Sequence, residues 1–222
     1  MRKAALIVTA IVGITLATSL VFRPRVDRTL YQGRTAEAWI HELGKAENGA
    51  QAREVLREIG TNALPALIHD LRSNTWMWRA YVKVRLSFPR LLGLLPDPDI
   101  SKDYRRNTVI VLIGRLGSGA AEAVPDLEKA IGDDDPKIRA GAAMALRNIG
   151  QRAYRALNAL IRALTDGDPT VRACAAEALG QIGPSGQSAI PSLEKALGDP
   201  DETVRFFAAQ SLGQIKEASA AK

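Results

Sequence analysis

Residues 124–150 read VPDLEKAIGDDDPKIRAGAAMALRNIG, and the pattern returns at 157–183 as LNALIRALTDGDPTVRACAAEALGQIG and at 190–216 as IPSLEKALGDPDETVRFFAAQSLGQIK. The offset is 33 residues each time, and it places Arg139, Arg172 and Arg205 in register, along with Asp133, Asp166 and Asp199. Leu146, Leu179 and Leu212 follow the same period, as do Ile149, Ile182 and Ile215. Repetition at this period is the signature of a stacked array in which each unit buries its apolar face only against its neighbours. Within one unit, Val124, Leu127 and Ile131 form a short apolar face at helical spacing, and Ile138, Ala142, Leu146 and Ile149 form a second. Each unit is therefore expected to be a helical hairpin.

Local signals agree on where the second helix starts and stops. Asp135-Pro136 and Asp168-Pro169 each put a capping acceptor before a proline at the first helical position, where the missing N–H costs nothing. Gly150 and Gly183 follow the last apolar residue and are expected to supply the left-handed conformation that ends a helix. Paired alanines at 142–143, 175–176 and 208–209 predict close packing between helices.

The residues D…VRxxAAxALGxIG resemble HEAT repeats, especially the short bacterial type also found in phycobilin lyases. The resemblance spans roughly residues 35–216, is strong from Val109 onward and is degenerate before it. It implies an all-α, right-handed α-solenoid. Two earlier hairpins are visible: TAEAWIHEL with AQAREVLREIG, ending at Gly60, and ALPALIHDL with WMWRAYVKVRL. Arg79 and Arg106 align with the Arg row, and Trp78 aligns with Ile138. Pro89, Pro96 and Pro98 break the next unit, so a loop is expected in an irregular segment at 87–104.

Composition narrows the chemistry. The chain has 222 residues, 5% aromatic, with a net charge of +6. Its charge is local: residues 1–34 and 72–106 each carry +5, against −3 for 35–71 and −1 for 107–222. Cys174 is the single cysteine, which excludes an internal disulfide and a Cys-rich zinc site, and with only His41 and His69 a histidine-based metal site would need carboxylates to fill most of its coordination sphere. GRLGSG at 114–119 lacks the Lys-Ser/Thr ending of a phosphate loop and reads as a turn. No catalytic, metal or cofactor-binding residue is assigned, and the expected cofactor set is empty.

Arg2 and Lys3 precede the uncharged run Ala4–Phe22, 19 residues that just suffice to cross a bilayer. Residues 1–28 are read as a signal anchor or signal peptide, and residues 29–222 as the solenoid. Continuation of the run through Leu20, Val21 and Phe22 favours retention, which would leave the solenoid membrane-anchored and exported; cleavage after the small residues Ala17 and Ser19 would leave it secreted.

The Arg and Asp rows are read as a structural ladder that pairs along the stack and satisfies turn groups. Interaction is expected at positions that vary between units: Met144, Glu177 and Gln210 in one row, Asn148, Gln181 and Gln214 in another, and the basic row Lys129, Arg162 and Lys195. The segment with Trp76, Tyr81, Lys83, Arg85 and Arg90 is a second candidate surface. The leading functional expectation is a non-catalytic scaffold that binds an unidentified protein partner and is tethered to the membrane. The alternatives are a phycobilin-lyase-like enzyme, or a binder of an anionic polymer or membrane surface through residues 72–106; no specific nucleic acid is implied.

Overall fold

The computed structural model describes residues 29–45, 47–72 and 101–220, and residues 1–28 and the candidates Trp76, Tyr81, Lys83, Arg85 and Arg90 lie outside them. Among the described residues the fold is helical, apart from an isolated bridge between Tyr31 and Arg34. None of the described helices is long and apolar enough to cross a membrane.

The chain opens with a tight turn. Tyr31 and Arg34 exchange backbone hydrogen bonds at 2.8 and 3.1 Å across Gln32 and Gly33, both at positive φ. Trp39 Nε1 donates to the Tyr31 carbonyl at 2.8 Å, and the Arg34 guanidinium lies 5.1 Å from the Trp39 ring, so the indole is buried under this turn. Helix α1 (Ala36–Glu42) and helix α2 (Gly49–Ile59) form the first hairpin.

The other described helices are short first helices and longer second helices. The first helices are α3 (residues 64–72), α5 (Val124–Ala130), α7 (Leu157–Ala163) and α9 (Ile190–Ala196). The second helices are α4 (Ser101–Arg115), α6 (Pro136–Ile149), α8 (Pro169–Ile182) and α10 (Glu202–Ala220). A 3-10 turn leads into each first helix, at Gly60–Ala63, Gly117–Ala123, Gly150–Ala156 and Gly183–Ala189. Gly150 and Gly183 have φ of 68° and 67° as expected, but ψ is −136° and −137°, so the chain leaves the helix in an extended mirror conformation rather than the left-handed helical one. An L side chain is strained there, which explains the glycines.

Of the irregular segment expected at 87–104, residues 101–104 open α4 and residues 87–100 lie outside the described residues. A Cβ on Gly119 would stand 2.8 Å from Thr61 Cγ2, so the turn at 60–63 lies directly against the turn at 117–123. Arg72 also reaches Asp126 on α5 with two 2.9 Å hydrogen bonds, and Arg105 on α4 pairs with Asp70 on α3 at 3.2 Å. Helices α3 and α4 are thus in contact, and the stretch around Trp76 that was expected to pair with α3 lies outside the described residues. Leu64 and Arg106 are 42 positions apart, whereas Val124 and Arg139 are 15 apart, a difference of 27 residues, and residues 73–100 lie outside the described ones.

Neighbouring units meet chiefly through their second helices, α4 on α6, α6 on α8 and α8 on α10, while first helices touch the 3-10 turn of the next unit. Small residues set the approach. A Cβ at Gly114 would lie 2.9 Å from Ala145 Cα, and one at Gly141 would lie 2.9 Å from Asn107 Oδ1. Ser211 Oγ, fully buried, donates to the Ala176 carbonyl at 2.8 Å between α8 and α10. Of the paired alanines, 142, 143, 175, 176 and 208 are buried as expected, but Ala209 is exposed, because nothing among the described residues packs on its face of α10. One continuous apolar core runs from Ala36 to Ile215.

Replacing Gly114 with Leu is expected to destabilise the fold by about 1–3 kcal/mol, since backbone rather than a movable side-chain tip blocks the new atoms. Gly167→Ala, where a Cβ meets nothing within 4 Å, should leave the thermal midpoint within about 2 °C of the parent. Equal midpoints for the two variants would contradict close approach of α4 and α6.

Candidate binding surface

The inter-helix turns at 131–135, 164–168 and 197–201 each carry two aspartates with separate duties. The second caps the following helix: Asp135 accepts from Lys137 N at 2.9 Å, Asp168 from Thr170 N at 2.8 Å and Asp201 from Thr203 N at 2.9 Å. The first folds the turn by accepting the amide of the second, at 3.1 Å for Asp133, 2.9 Å for Asp166 and 2.9 Å for Asp199. That leaves the first carboxylate able to meet the preceding unit.

Arginine fills this role. Arg139 donates from Nε and Nη2 to both Asp166 oxygens at 2.8 and 2.7 Å, and Arg172 grips Asp199 likewise at 2.8 and 2.8 Å. Their Nη1 groups turn back to their own turn, Arg139 to the Asp133 carbonyl and Arg172 to the Asp166 carbonyl, both at 2.9 Å. Arg106 Nη2 donates to Asp133 and makes the most enclosed rung, with both side chains 5% exposed. The same Arg therefore ties its own turn and clasps the next, a bidentate geometry that the planar guanidinium fixes. Arg205 binds the Asp199 and Pro200 carbonyls at 2.8 and 2.9 Å, but no carboxylate among the described residues completes its rung.

Electrostatics follow the rungs. The Arg172 hydrogen bond holds the Asp199 carboxyl below its ordinary value, against the opposing effect of partial burial. Burial raises Asp166, but the Arg139 and Asp168 hydrogen bonds outweigh it and the net direction is down. Arg139 and Arg172 are raised in turn by their carboxylates.

The layer of second helices offers the varying rows. Met144 is 44% exposed and Gln210 is exposed, but Glu177 is half-buried and accepts from Arg147 Nη1 at 2.9 and 2.8 Å. Val111, 33 positions before Met144, extends the row at 42% exposure and was visible to the repeat register. In the second row Asn148 and Gln181 are exposed; Asn148 is held by Arg147 at 3.1 and 3.0 Å, and Gln214 is half-buried beside Gly180. The basic row Lys129, Arg162 and Lys195 is exposed on the first helices, in the other layer.

Chemistry-bearing residues are dispersed. Among the described residues no group of His, Cys, Asp and Glu could hold a metal ion, and His41 and His69 are both exposed rather than partly buried. Burial, and then the Glu177 charge, push the Cys174 thiol up, which disfavours the thiolate at neutral pH. GRLGSG ends α4 and opens a 3-10 turn, as expected.

Stacked hairpins joined by a repeated Arg–Asp rung define a tandem-repeat α-solenoid. The chain belongs to the HEAT-repeat family: the family profile described as HEAT repeats matches residues 88–163 and 157–222. Among solved structures it is similar to the complex of CpcE and CpcF of phycocyanin lyase from Nostoc, at 18% identity over 79% of this chain and 96% of that chain, with a TM-score of 0.54. It is also similar to a designed armadillo repeat protein in complex with the peptide (KR)4, at 19% identity over 81% of each chain and a TM-score of 0.48. At these identities the likeness concerns the fold alone. No curated protein matches the chain.

Arg172→Ala should destabilise the protein by about 1–3 kcal/mol, because Asp199 loses its partner, whereas Lys195→Ala on the exposed row should cost less than about 0.5 kcal/mol. Equal losses in denaturant titration would count against the ladder. Asp199 and Asp166 are depressed in the folded state, so their stabilisation is complete above the ordinary aspartate value of about 4 and is lost as pH falls through the folded values. Asp199→Asn should accordingly flatten the acid limb of stability against pH; a limb of unchanged steepness would contradict that assignment.

Proposed function

We propose that this chain is a non-catalytic scaffold that binds an extended protein segment along its layer of second helices, tethered to a membrane by residues 1–28 with the solenoid on the exported side. The observation that carries the binding surface is the row Val111, Met144, Glu177 and Gln210. It runs across four stacked helices and combines two exposed apolar side chains with a carboxylate and an amide. Repeat stacking presents such a row at regular intervals, which suits recognition of an extended chain. Glu177 enters it already paired with Arg147, so its role is to orient polar contacts rather than to offer a lone charge. The tether rests on the uncharged run Ala4–Phe22 behind Arg2 and Lys3.

A photo-crosslinking amino acid at Met144 should capture a discrete partner in cells that express the full chain, whereas the same group at Lys129, on the other layer, should capture little. Equal labelling from both positions would sink the binding-face assignment. The tether has its own check: full-length protein should stay in the membrane pellet after carbonate extraction, and release of a mature chain lacking its first 19 or more residues would refute anchorage.

A further inference from the structure

The second helix α10 presents a face unlike those of the earlier second helices. In α8 the face that receives α10 is built from Ala173, Ala176 and Gly180: Ser211 bonds the Ala176 carbonyl at 2.8 Å, and a Cβ at Gly180 would lie 2.9 Å from Ser211 Cβ. Thirty-three positions on, the equivalent face of α10 carries Phe206, Ala209 and Gly213. Phe206 is 63% exposed where its counterparts Ala140 and Ala173 are 8% and 6% exposed, and a Cβ at Gly213 would meet nothing within 4 Å.

The repeat pattern changes at the end of this helix. Lys216 stands where Gly150 and Gly183 end the earlier helices, and α10 runs on to Ala220 without the 3-10 turn that leads into a following hairpin. Solenoid ends in water ordinarily carry polar caps. On α2 the position equivalent to Gly141, which faces the preceding second helix, is the exposed Gln51. The α10 end breaks that rule by presenting a phenylalanine beside two small residues.

We propose that this face of α10 docks a second copy of the chain, antiparallel and centred on Ala209. Glu202, Phe206, Ala209, Gly213 and Lys216 recur at alternating spacings of four and three, which keeps them on one side of the helix. The stripe is self-complementary: acid at one end, base at the other, and an aromatic and a gap placed about the central alanine. A two-fold axis at Ala209 sets Glu202 against the partner's Lys216 twice and lays Phe206 over the partner's Gly213. The 3.5 Å contact of Lys216 with Glu194 joins two exposed groups and is readily exchanged. Head-to-tail docking would instead press Phe206 onto the polar α2 face, and a parallel pairing would set Glu202 against its own copy.

Cysteine trapping of the full chain tests this. In a Cys174→Ser background, Ala209→Cys should form a disulfide-linked dimer under mild oxidation, and Gln187→Cys, on an exposed 3-10 turn, should remain monomeric. Adding Lys216→Glu or Glu202→Lys should each slow trapping by about fivefold, and the two together should restore it. Circular dichroism of each variant separates loss of pairing from loss of folding. Trapping at Ala209 no faster than at Gln187, or a double reversal that stays slow in a folded protein, would overturn the proposal.

Discussion

One contact holds the units in register: a guanidinium that reaches from a second helix into the turn of the next hairpin and clasps its first aspartate. Each carboxylate in that turn is already committed, since Asp166 accepts the Asp168 amide while Asp168 caps α8. The arginine therefore binds a preformed acceptor and loses little freedom in doing so. The rungs are largely shielded from water, with side-chain exposures of 18% and 15% for Arg139–Asp166 and 13% and 10% for Arg172–Asp199. An error in stacking would strand both charges, so the ladder selects one register of hairpin on hairpin as much as it stabilises it.

Small residues complete that selection. Gly114 against Ala145, and Gly180 against Ser211, let second helices approach until backbone and side chains touch. First helices instead meet the neighbouring 3-10 turn, so the two layers pack by different rules. The surface left on the second-helix layer is formed by whatever the 33-residue repeat leaves free to vary, which is why Val111, Met144 and Gln210 reach solvent while their neighbours on the same helices are buried. Function and packing are thus separated by position within a single helix.

Much of this was legible from residue order. The hairpins from Val124 onward follow from apolar spacing, the Asp-Pro starts and the glycine stops. The irregular region was not, because the contacts of Arg72 and Arg105 that join α3 to α5 and α4 have no counterpart in the repeat register. Glu177 looked free because the Arg147 position is glycine in the next two units, so no repeat announced the pair. Ala209 was read as packed by analogy with Ala143 and Ala176, yet burial there needs a following unit, and a periodic pattern cannot show where periodicity stops. The direction of the ladder was likewise hidden: Arg172 lies six residues after Asp166 and 27 before Asp199, and only geometry shows that it binds the carbonyl of one and the carboxylate of the other.

A double-mutant cycle on Arg139 and Asp166, followed by denaturant unfolding, measures the coupling between adjacent units directly. The rung predicts that Arg139→Ala and Asp166→Ala together cost less than the two separately, with a coupling of at least about 1 kcal/mol. Strict additivity, with the two single losses summing to the double, would contradict the account.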